Sequence, residues 1–213
     1  IESTSFRNGL PHESVLEMDI LTGSGSIVTA SPTQNEQLYR AFPNSYGTLG
    51  YAVRLRIELE PVQPYVALTH VLFRDLDALG AAIARIAAER AHDGQPVDFL
   101  DGVMFDRGES YLTLGRFAPD LADAGQPEPS DYTGQEIYYR SIQLRRTDVL
   151  TIRDYLWRWD TDWFWCSAAF GAQNPIARRL WPRRLRRSDV YHRLVALEAK
   201  YEVAARIDRW RGK

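Results

Sequence analysis

The residues from Tyr51 to Leu59 restrict the fold more than any other stretch, because apolar and polar side chains alternate there without a break. A period of two places successive side chains on opposite faces, which is typical of a β-strand with one buried face. The segment EPVQPY (Glu60–Tyr65) follows at once, and its two prolines end a strand. We therefore predict a half-buried strand followed by a domain boundary near residue 62.

The chain before this strand predicts a hairpin and a short helix. Alternation begins at Leu16, and TGSGS (Thr22–Ser26) turns the chain into a second apolar run. Pro32 is placed to open a helix that ends near Phe42. The residues of this helix expected to face inward are Leu38, Tyr39 and Phe42.

The chain after the boundary predicts the order strand, helix, strand, strand, which indicates an antiparallel sheet backed by a helix. The expected elements are a strand Val66–Phe73, a helix Asp75–Ala91 with Leu76, Leu79, Ile83 and Ile86 inward, and strands Val97–Phe105 and Ser110–Phe117. A last helix from Asp189 to about Trp210, capped by Ser188, is expected to bury Val190, Leu194, Leu197 and Tyr201. The predicted class is α+β, with domains 1–62 and 63–213.

Charge and cysteine content narrow the classes of function. The net charge is only −2, yet residues 176–213 hold twelve Lys and Arg against four acids. No apolar run is long enough for a membrane span, and no secretory signal is present in these residues. The single cysteine, Cys166, excludes an internal disulfide and a cysteine-rich metal site. A reducing, cytoplasmic setting is the expectation, with no metal.

Two glycines three residues apart, Gly47 and Gly50, stand between the predicted short helix and the strand. Without a Cβ, backbone N–H groups there can approach a phosphate or a flat ring closely. A tight turn with positive φ explains the same pair, and on the pair alone we favour the turn. The spacing is not the Rossmann fingerprint, which needs a third glycine between a strand and a helix.

Two N-terminal blocks carry a resemblance to a known family. They are IESTSFRNGL, at residues 1–10, and FPNSYGTLGYAVRLRIEL, from Phe42 to Leu59. Together they resemble the second half of the FAD-binding domain of the vanillyl-alcohol-oxidase-type flavoproteins, closest to the 24-dehydrocholesterol reductase branch. Gly47-Thr48-Leu49-Gly50 repeats a block of that branch unchanged, and the segment Asp160–Trp181 is similar to its aromatic motif.

The resemblance implies a covalently or non-covalently held FAD and hydride transfer between flavin and an apolar, sterol-like alkene or alcohol. It implies the second lobe of the FAD-binding domain over 1–62 and an antiparallel sheet with helices, the substrate or cap domain, over 63–213. The residues it places at the cofactor are Ile1, Glu2, Ser3, Thr4, Ser5, Gly9, Gly47, Thr48, Gly50 and Tyr51. The family's first lobe and the end of its cap have no counterpart here, so we expect a middle fragment that binds FAD poorly and is inactive alone.

The aromatic segment 155–165 holds four tryptophans, which most often indicate core packing. Its functional interpretation is a wall for a flat apolar substrate, with a proton-transfer group beside it. The candidates for that group are Tyr155, Asp160 and Asp162. Cys166 is interpreted as a buried small hydrophobe, and His12 as a structural or exposed residue of a loop.

The basic run 177–187, ARRLWPRRLRR, is either a solvated surface or an attachment to anionic lipid. No nucleic-acid-binding motif accompanies it, so we expect no nucleic-acid partner. Peripheral membrane contact is the preferred version, because a lipid-like substrate must be collected from a membrane. The alternative function is therefore a non-enzymatic module that binds lipid or a partner protein through 155–165 and 177–187.

Overall fold

The computed structural model describes residues 6–132, 137–160, 174–180 and 188–201, and in these residues the fold is α+β with antiparallel sheets. It divides into two compact units. The first reaches to Val62 and includes Asp98–Leu100, and the second comprises Gln63–Val97 and the residues from Asp101 onward. The chain thus changes unit at Val62, inside the proline-containing segment.

The first unit is built on a three-stranded antiparallel sheet with the order β2-β1-β3. Its elements are β1 (Val15–Leu21), β2 (Ile27–Ala30), α1 (Glu36–Ala41) and β3 (Tyr51–Ile57). β1 and β2 form the predicted hairpin, with Leu21 opposite Ile27. A 3-10 turn, Pro11–Ser14, leads directly into β1.

A small core forms where α1 covers the sheet. Leu38, Tyr39 and Phe42 pack against the buried residues Val15, Met18, Ile20 and Ala30, so their predicted inward direction is confirmed. The predicted start of the helix is wrong, because α1 begins at Glu36 and not at Pro32. Asn35, at φ 50°, has a left-handed conformation that a helix cannot continue through, and the chain turns before it.

Strand β3 is present as predicted, but it is not half-buried. Its apolar side chains Tyr51, Val53, Leu55 and Ile57 are between 49% and 70% exposed. β3 lies at the edge of the sheet, and the short α1 packs against the hairpin core and leaves β3 uncovered. Alternation therefore predicted the strand correctly, whereas burial required a covering layer that these residues do not supply.

The second unit contains a four-stranded antiparallel sheet with the order β7-β8-β4-β9. Its strands are β4 (Tyr65–Phe73), β7 (Phe99–Asp106), β8 (Glu109–Ala118) and β9 (Thr147–Thr151), and a separate two-stranded ribbon joins β5 (Ala91–His92) to β6 (Gln95–Pro96). Its helices are α2 (Leu76–Glu89), α3 (Leu121–Ala124), α4 (Tyr138–Leu144), α5 (Ile152–Trp157), α6 (Pro175–Leu180) and α7 (Ser188–Tyr201). The central strand β4 pairs along its whole length with β8.

The two helices predicted for the second unit are present as α2 and α7, but some residues predicted to be buried on them are exposed. α2 is capped by Asp75, whose carboxylate accepts from the N–H of Ala78 at 2.8 Å. Its buried residues are Ala82 and Ile86, whereas Leu76 and Ile83 of the predicted stripe are exposed. In α7, Leu197 is exposed and not buried as predicted. None of the helices in the described ranges is long and apolar enough to cross a membrane.

Candidate functional site

The first unit contains a cleft of about 530 Å³ beside the turn that precedes β3. It is lined by Leu10, Pro11, His12, Val15, Met18, Phe42, Pro43, Asn44, Ser45, Tyr46, Gly47, Gly50, Tyr51, Ala52 and Leu55. These residues come from both N-terminal sequence blocks and from the hairpin core. The fold thus joins the two blocks at one surface, and we refer to this space as the first-unit cleft.

Successive tight turns shape one wall of the first-unit cleft. The N–H of Ser45 donates to the carbonyl of Phe42 at 3.1 Å, and the N–H of Thr48 donates to that of Ser45 at 3.0 Å. Tyr46 and Gly47 both have positive φ, at 50° and 83°. Tyr46 is 93% exposed, so its ring stands at the rim. The wall is backbone bent tightly, with few side chains in front of it.

Gly50 has a local reason to lack a side chain. A Cβ there would lie 2.2 Å from the carbonyl oxygen of Leu21, and its φ of 124° is one that other residues rarely adopt. Gly47 also has positive φ, and a Cβ there would meet the Tyr51 ring at 3.4 Å. The turn interpretation therefore has a physical basis within the chain. Contact of Gly47, Thr48, Gly50 and Tyr51 with a cofactor stays a prediction.

The N-terminal block reaches the cleft through its last residues. Glu13 accepts a hydrogen bond from the N–H of Leu10 at 2.6 Å, and its carboxylate fills the space beside Gly9, where a Cβ would lie 2.1 Å from Oε2. This turn brings Leu10, Pro11 and His12 to the cleft. The five residues Ile1, Glu2, Ser3, Thr4 and Ser5 lie outside the described residues, so their predicted cofactor contacts remain predictions.

The lining of the first-unit cleft is mostly apolar. Among the described residues, none that lines the cleft is Lys, Arg, Asp or Glu, and its polar side chains include His12, Tyr46 and Tyr51. Such a surface suits a flat, weakly polar ring, which binds by apolar contact and a few hydrogen bonds. A pyrophosphate is usually held by cations, backbone N–H clusters or a helix N-terminus, and the described lining contains no cationic Lys or Arg for this purpose. The cleft therefore fits the ring portion of a flavin better than its phosphates.

Of the three proposed catalytic residues, Tyr155 and Asp160 lie in the described part of the chain, and a catalytic role for them stays a prediction. Tyr155 is buried, and the Arg158 guanidinium lies 4.0 Å over its ring. Burial raises the pKa of the Tyr155 phenol above its ordinary value. Asp160 accepts hydrogen bonds from Ser188 at the start of α7. Asp162 lies outside the described residues, as do Cys166 and residues 181–187 of the basic run.

A buried polar cluster in the second unit was not foreseen from the sequence. Asp148, 1% exposed, accepts hydrogen bonds from the Tyr132 hydroxyl, the Ser130 hydroxyl at 2.6 Å and its neighbour's N–H at 2.9 Å. Arg145 lies 3.3 Å from the same carboxylate. Burial, and then the hydrogen bond to Asp148, raise the pKa of Tyr132 above its ordinary value. Asp148 is the second residue of the short strand β9, and no periodic pattern marks it.

A second ion pair lies in the same unit, and the Tyr138 ring contacts both Arg158 of this pair and Tyr132 of the Asp148 cluster. Arg158 is 8% exposed and donates to the carboxylate of Asp101 on β7 and to the carbonyl of Tyr155 at 2.6 Å. The rings of Tyr138 and Trp159 meet edge to face at 4.7 Å between centroids, beside the same guanidinium. This part of the aromatic segment is therefore packing around a buried cation. No group of three metal-ligating side chains occurs in the parts of the chain that the structure describes.

The amino-acid sequence of the chain is similar to those of two groups of known proteins. No protein-family model matches the chain. The rat Delta(24)-sterol reductase is 27% identical over 197 residues, which cover 85% of this chain and 36% of that protein. Cytokinin dehydrogenase 9 of rice (Oryza sativa subsp. japonica) is 37% identical over 177 residues, which cover 71% of this chain and 34% of that protein.

The match extends to a more distant animal relative. A Delta(24)-sterol reductase homologue of Caenorhabditis elegans is 22% identical over 182 residues, which cover 78% of this chain. The chain spans about a third of the length of the curated relatives it matches. The resemblance predicted from the two N-terminal blocks is confirmed: the chain is a homologue of Delta(24)-sterol reductases and of cytokinin dehydrogenases.

Proposed function

We propose, from this homology, that the chain is part of an FAD-dependent oxidoreductase and that its first unit supplies one wall of the flavin site. The assignment of the first unit to the second lobe of a vanillyl-alcohol-oxidase-type domain, and of the second unit to a cap, is part of the same proposal. The sterol reductase and the cytokinin dehydrogenase are named for apolar or flat substrates. An apolar alkene or alcohol, with a sterol as the first to test, is therefore the substrate class we propose.

The convergence of two sequence blocks on one cleft carries this proposal. Leu10 is the last residue of the first block, Gly47, Gly50 and Tyr51 belong to the second, and all four line the same 530 Å³. A pair of turns that served only the hairpin would not need a common apolar cavity between them. The cleft is also open to solvent at Tyr46, as the entrance of a ligand site must be.

A bound flavin would supply hydride transfer at its ring, and the residues of this chain would hold that ring. Phe42 and Tyr51 offer aromatic faces, and Met18 and Leu55 offer the apolar floor. These side chains would keep water away from one side of the ring. His12 and the Tyr46 and Tyr51 hydroxyls are the side chains of the lining that can exchange a proton, and they would hydrogen-bond its polar edge.

Flavin titration of the purified chain tests the ring site. We expect quenching of riboflavin and FAD fluorescence with weak, nearly equal affinities, because the cleft contacts the ring and not the phosphates. Leu55→Asp, which puts a charge on the cleft floor, should weaken both by about tenfold or more. Leu59→Asp is the matched control, since Leu59 is exposed and does not line the cleft.

Two outcomes would contradict the flavin site. One is an absence of quenching by either flavin, and the other is an equal loss of affinity in the Leu55→Asp and Leu59→Asp variants. Turnover is tested on a longer protein that contains this chain. There an alcohol substrate should bleach the oxidised flavin, whereas an alkene substrate should reoxidise a flavin that has first been reduced. No observation among the described residues favours the lipid-binding alternative.

A further inference from the structure

A second cavity, of about 480 Å³, lies in the second unit, far along the sequence from the two flavin blocks. It is lined by Thr69, His70, Val71, Leu72, His92, Asp93, Tyr111, Ile142, Gln143, Leu144, Arg145 and Arg146. Neither the predicted catalytic residues nor the predicted cofactor residues line it. We call it the histidine cavity, after the two histidines in its wall.

Sheet pairing explains why there is space at this place. β9 pairs with β4 only from Tyr65 to Thr69, and the last contact along this edge is the N–H of His70, which donates to the carbonyl of Arg146 at 2.8 Å. Beyond it, the edge of β4 at Leu72 has no strand neighbour among the described residues. In an antiparallel strand the N–H and C=O of Leu72 point to the same side as those of His70. The cavity lies against that edge.

His70 is the buried polar residue of the cavity wall. It is 4% exposed, and its Nδ1 lies 2.8 Å from the Thr113 hydroxyl. Its Nε2 is buried and has no hydrogen-bond partner within the described ranges. Burial lowers the pKa of His70 to about 4, so the ring is neutral at physiological pH. Leaving a buried nitrogen without a partner is unfavourable, and a ligand that hydrogen-bonds to that nitrogen would remove this cost.

His92 repeats the pattern from a different element. It ends β5 next to Asp93 and Gly94, whose positive φ values of 47° and 76° form the tight two-residue turn of a hairpin. Its Nδ1 is also buried without a partner in the described part of the chain, while Nε2 lies 3.5 Å from the Asp93 carboxylate. Two histidines, each with one buried and unpartnered ring nitrogen in the described part of the chain, therefore line one cavity, His70 from β4 and His92 from β5.

The charged residues around the cavity indicate which class of ligand it can bind. Arg145 and Arg146 are its cations and Asp93 its acid, and Asp93 is almost fully exposed, at 88% of its side chain. Arg145 is already engaged with Ser130 and Asp148. Arg146 is exposed and forms no ion pair with the described residues. Three ligands for a metal ion are not assembled here among the described residues, whereas donors for an oxyanion are.

We propose that the histidine cavity binds the carboxylate or phosphate group of a small molecule, held by His70 Nε2, His92 Nδ1 and the Arg146 guanidinium. The site is separate from the flavin proposal and does not require it. Its volume, about 480 Å³, is within the usual range for small-molecule sites. The anion would complete the hydrogen bonds of both rings and the open edge of β4.

Imidazole NMR of the ¹⁵N-labelled chain tests this proposal, because the protein has only four histidines. Inorganic phosphate and succinate are titrated separately at constant ionic strength and neutral pH, with glucose as the uncharged probe. We expect the signals of His70 and His92 to shift together along one saturable curve, while those of His12 and His192 stay in place. If only one of the two anions shifts these signals, this result identifies the anion that the site binds.

Variants that remove one positive charge distinguish a specific anion-binding site from general attraction of anions to the protein. Arg146→Gln should weaken binding about tenfold, because it removes a charge-assisted hydrogen bond. Arg85→Gln on α2 makes the same charge change outside the cavity and should alter the affinity less than about twofold. The proposal is overturned if neither anion shifts both signals saturably, if glucose shifts them equally, or if the two variants weaken binding alike.

Discussion

Both units of this chain contain an antiparallel sheet, but they differ in which side chains they expose and which they bury. In the first, a single helix of six residues covers a three-stranded sheet, and the apolar side chains of β3 are left half or more exposed. In the second, the central strand β4 has buried side chains such as Val66 and Leu68, and even charged groups such as Asp148 are enclosed. The first unit presents apolar surface, and the second buries polar groups.

The apolar surface of the first unit can gain stability from a bound ligand, whereas the Asp148 cluster of the second unit is already hydrogen-bonded within the chain. Apolar side chains that stay exposed gain free energy only when something else covers them, so the first-unit cleft is suited to binding. Buried hydrogen-bonded acids and tyrosines gain nothing from a ligand, but they fix one arrangement of the chain. We therefore expect substitutions in the Asp148 cluster to act on stability alone, and those at the first-unit cleft to act on stability and flavin binding together.

The largest effect is expected from Asp148→Ala in the second unit. The substitution leaves the Tyr132 and Ser130 hydroxyls and the Arg145 guanidinium without their buried acceptor. Breaking such a cluster from one side should lower the free energy of unfolding by about 4 kcal/mol. Urea denaturation followed by circular dichroism measures it, with the exposed Asp77→Ala of α2 as control. A loss below about 1 kcal/mol would show that the cluster does not hold this unit together.

A smaller but still large effect is expected from Gly50→Ala in the first unit. The new Cβ would lie 2.2 Å from a backbone carbonyl at a φ of 124°, so the turn must shift, at a cost of about 3 kcal/mol. Gly47→Ala, with a Cβ at 3.4 Å from a flexible ring, should cost about 1 kcal/mol, and Gly23→Ala, with nothing within 4 Å, about nothing. Thermal unfolding ranks the three. Equal costs would mean that the turn does not depend on the Leu21 contact.

Flavin binding, measured together with stability in the Gly50→Ala and Asp148→Ala variants, tests the difference between the two units further. Gly50→Ala should weaken riboflavin binding as well as folding, because the altered turn is a wall of the first-unit cleft. Asp148→Ala, assayed at a temperature where the variant is folded, should leave flavin affinity unchanged. A loss of affinity in both variants alike would remove the distinction between the two units.

An effect no larger than that of Gly50→Ala is a dependence of stability on pH that originates in the second unit. Burial lowers the pKa of His70 to about 4 from an ordinary value of 6.5, with Asp148 acting against this shift and Arg145 adding to it. The unfolded chain therefore takes up a proton at this residue before the folded chain does, so the stabilisation is complete above pH 6.5 and is lost as pH falls towards 4. The expected loss is about 3 kcal/mol.

Denaturation at several pH values isolates this contribution. The wild type should lose more stability between pH 6.5 and 4 than His70→Gln, because the variant has no imidazole to protonate at that site. His12→Gln is the control, since His12 is exposed in the first unit. Parallel pH profiles for the wild type and His70→Gln would contradict a neutral, buried His70.

The sequence predicted the elements whose periodicity is local and strong. The hairpin around Thr22–Ser26, β3, and the strand, helix, strand, strand order of the second unit all follow from alternation and from turn residues. β9 and α4 were missed, because Thr147–Thr151 is short and has no alternating pattern, and its strand state depends on pairing with β4. Local propensity does not contain that long-range partner.

The site was predictable where it depends on sequence blocks and not where it depends on packing. Gly47, Gly50 and Tyr51 were singled out from the sequence, and they line one cleft together with Leu10 at the end of the first block. The sequence could not show that Gly50 is required by the Leu21 carbonyl, since that contact joins separate strands. Nor could it show the buried neighbours of His70, a lone histidine in an apolar strand, which are set by tertiary packing.

The exposed strand β3 has a consequence for handling the isolated chain. An edge strand with open hydrogen-bonding groups and a row of apolar side chains is a template for edge-to-edge association. Arg54 and Arg56 stand between the apolar residues, and Arg54 pairs with Glu17 and Asp19 on the neighbouring strand. Like charges would meet if two copies aligned their edges in register, so these arginines act as gatekeepers against aggregation.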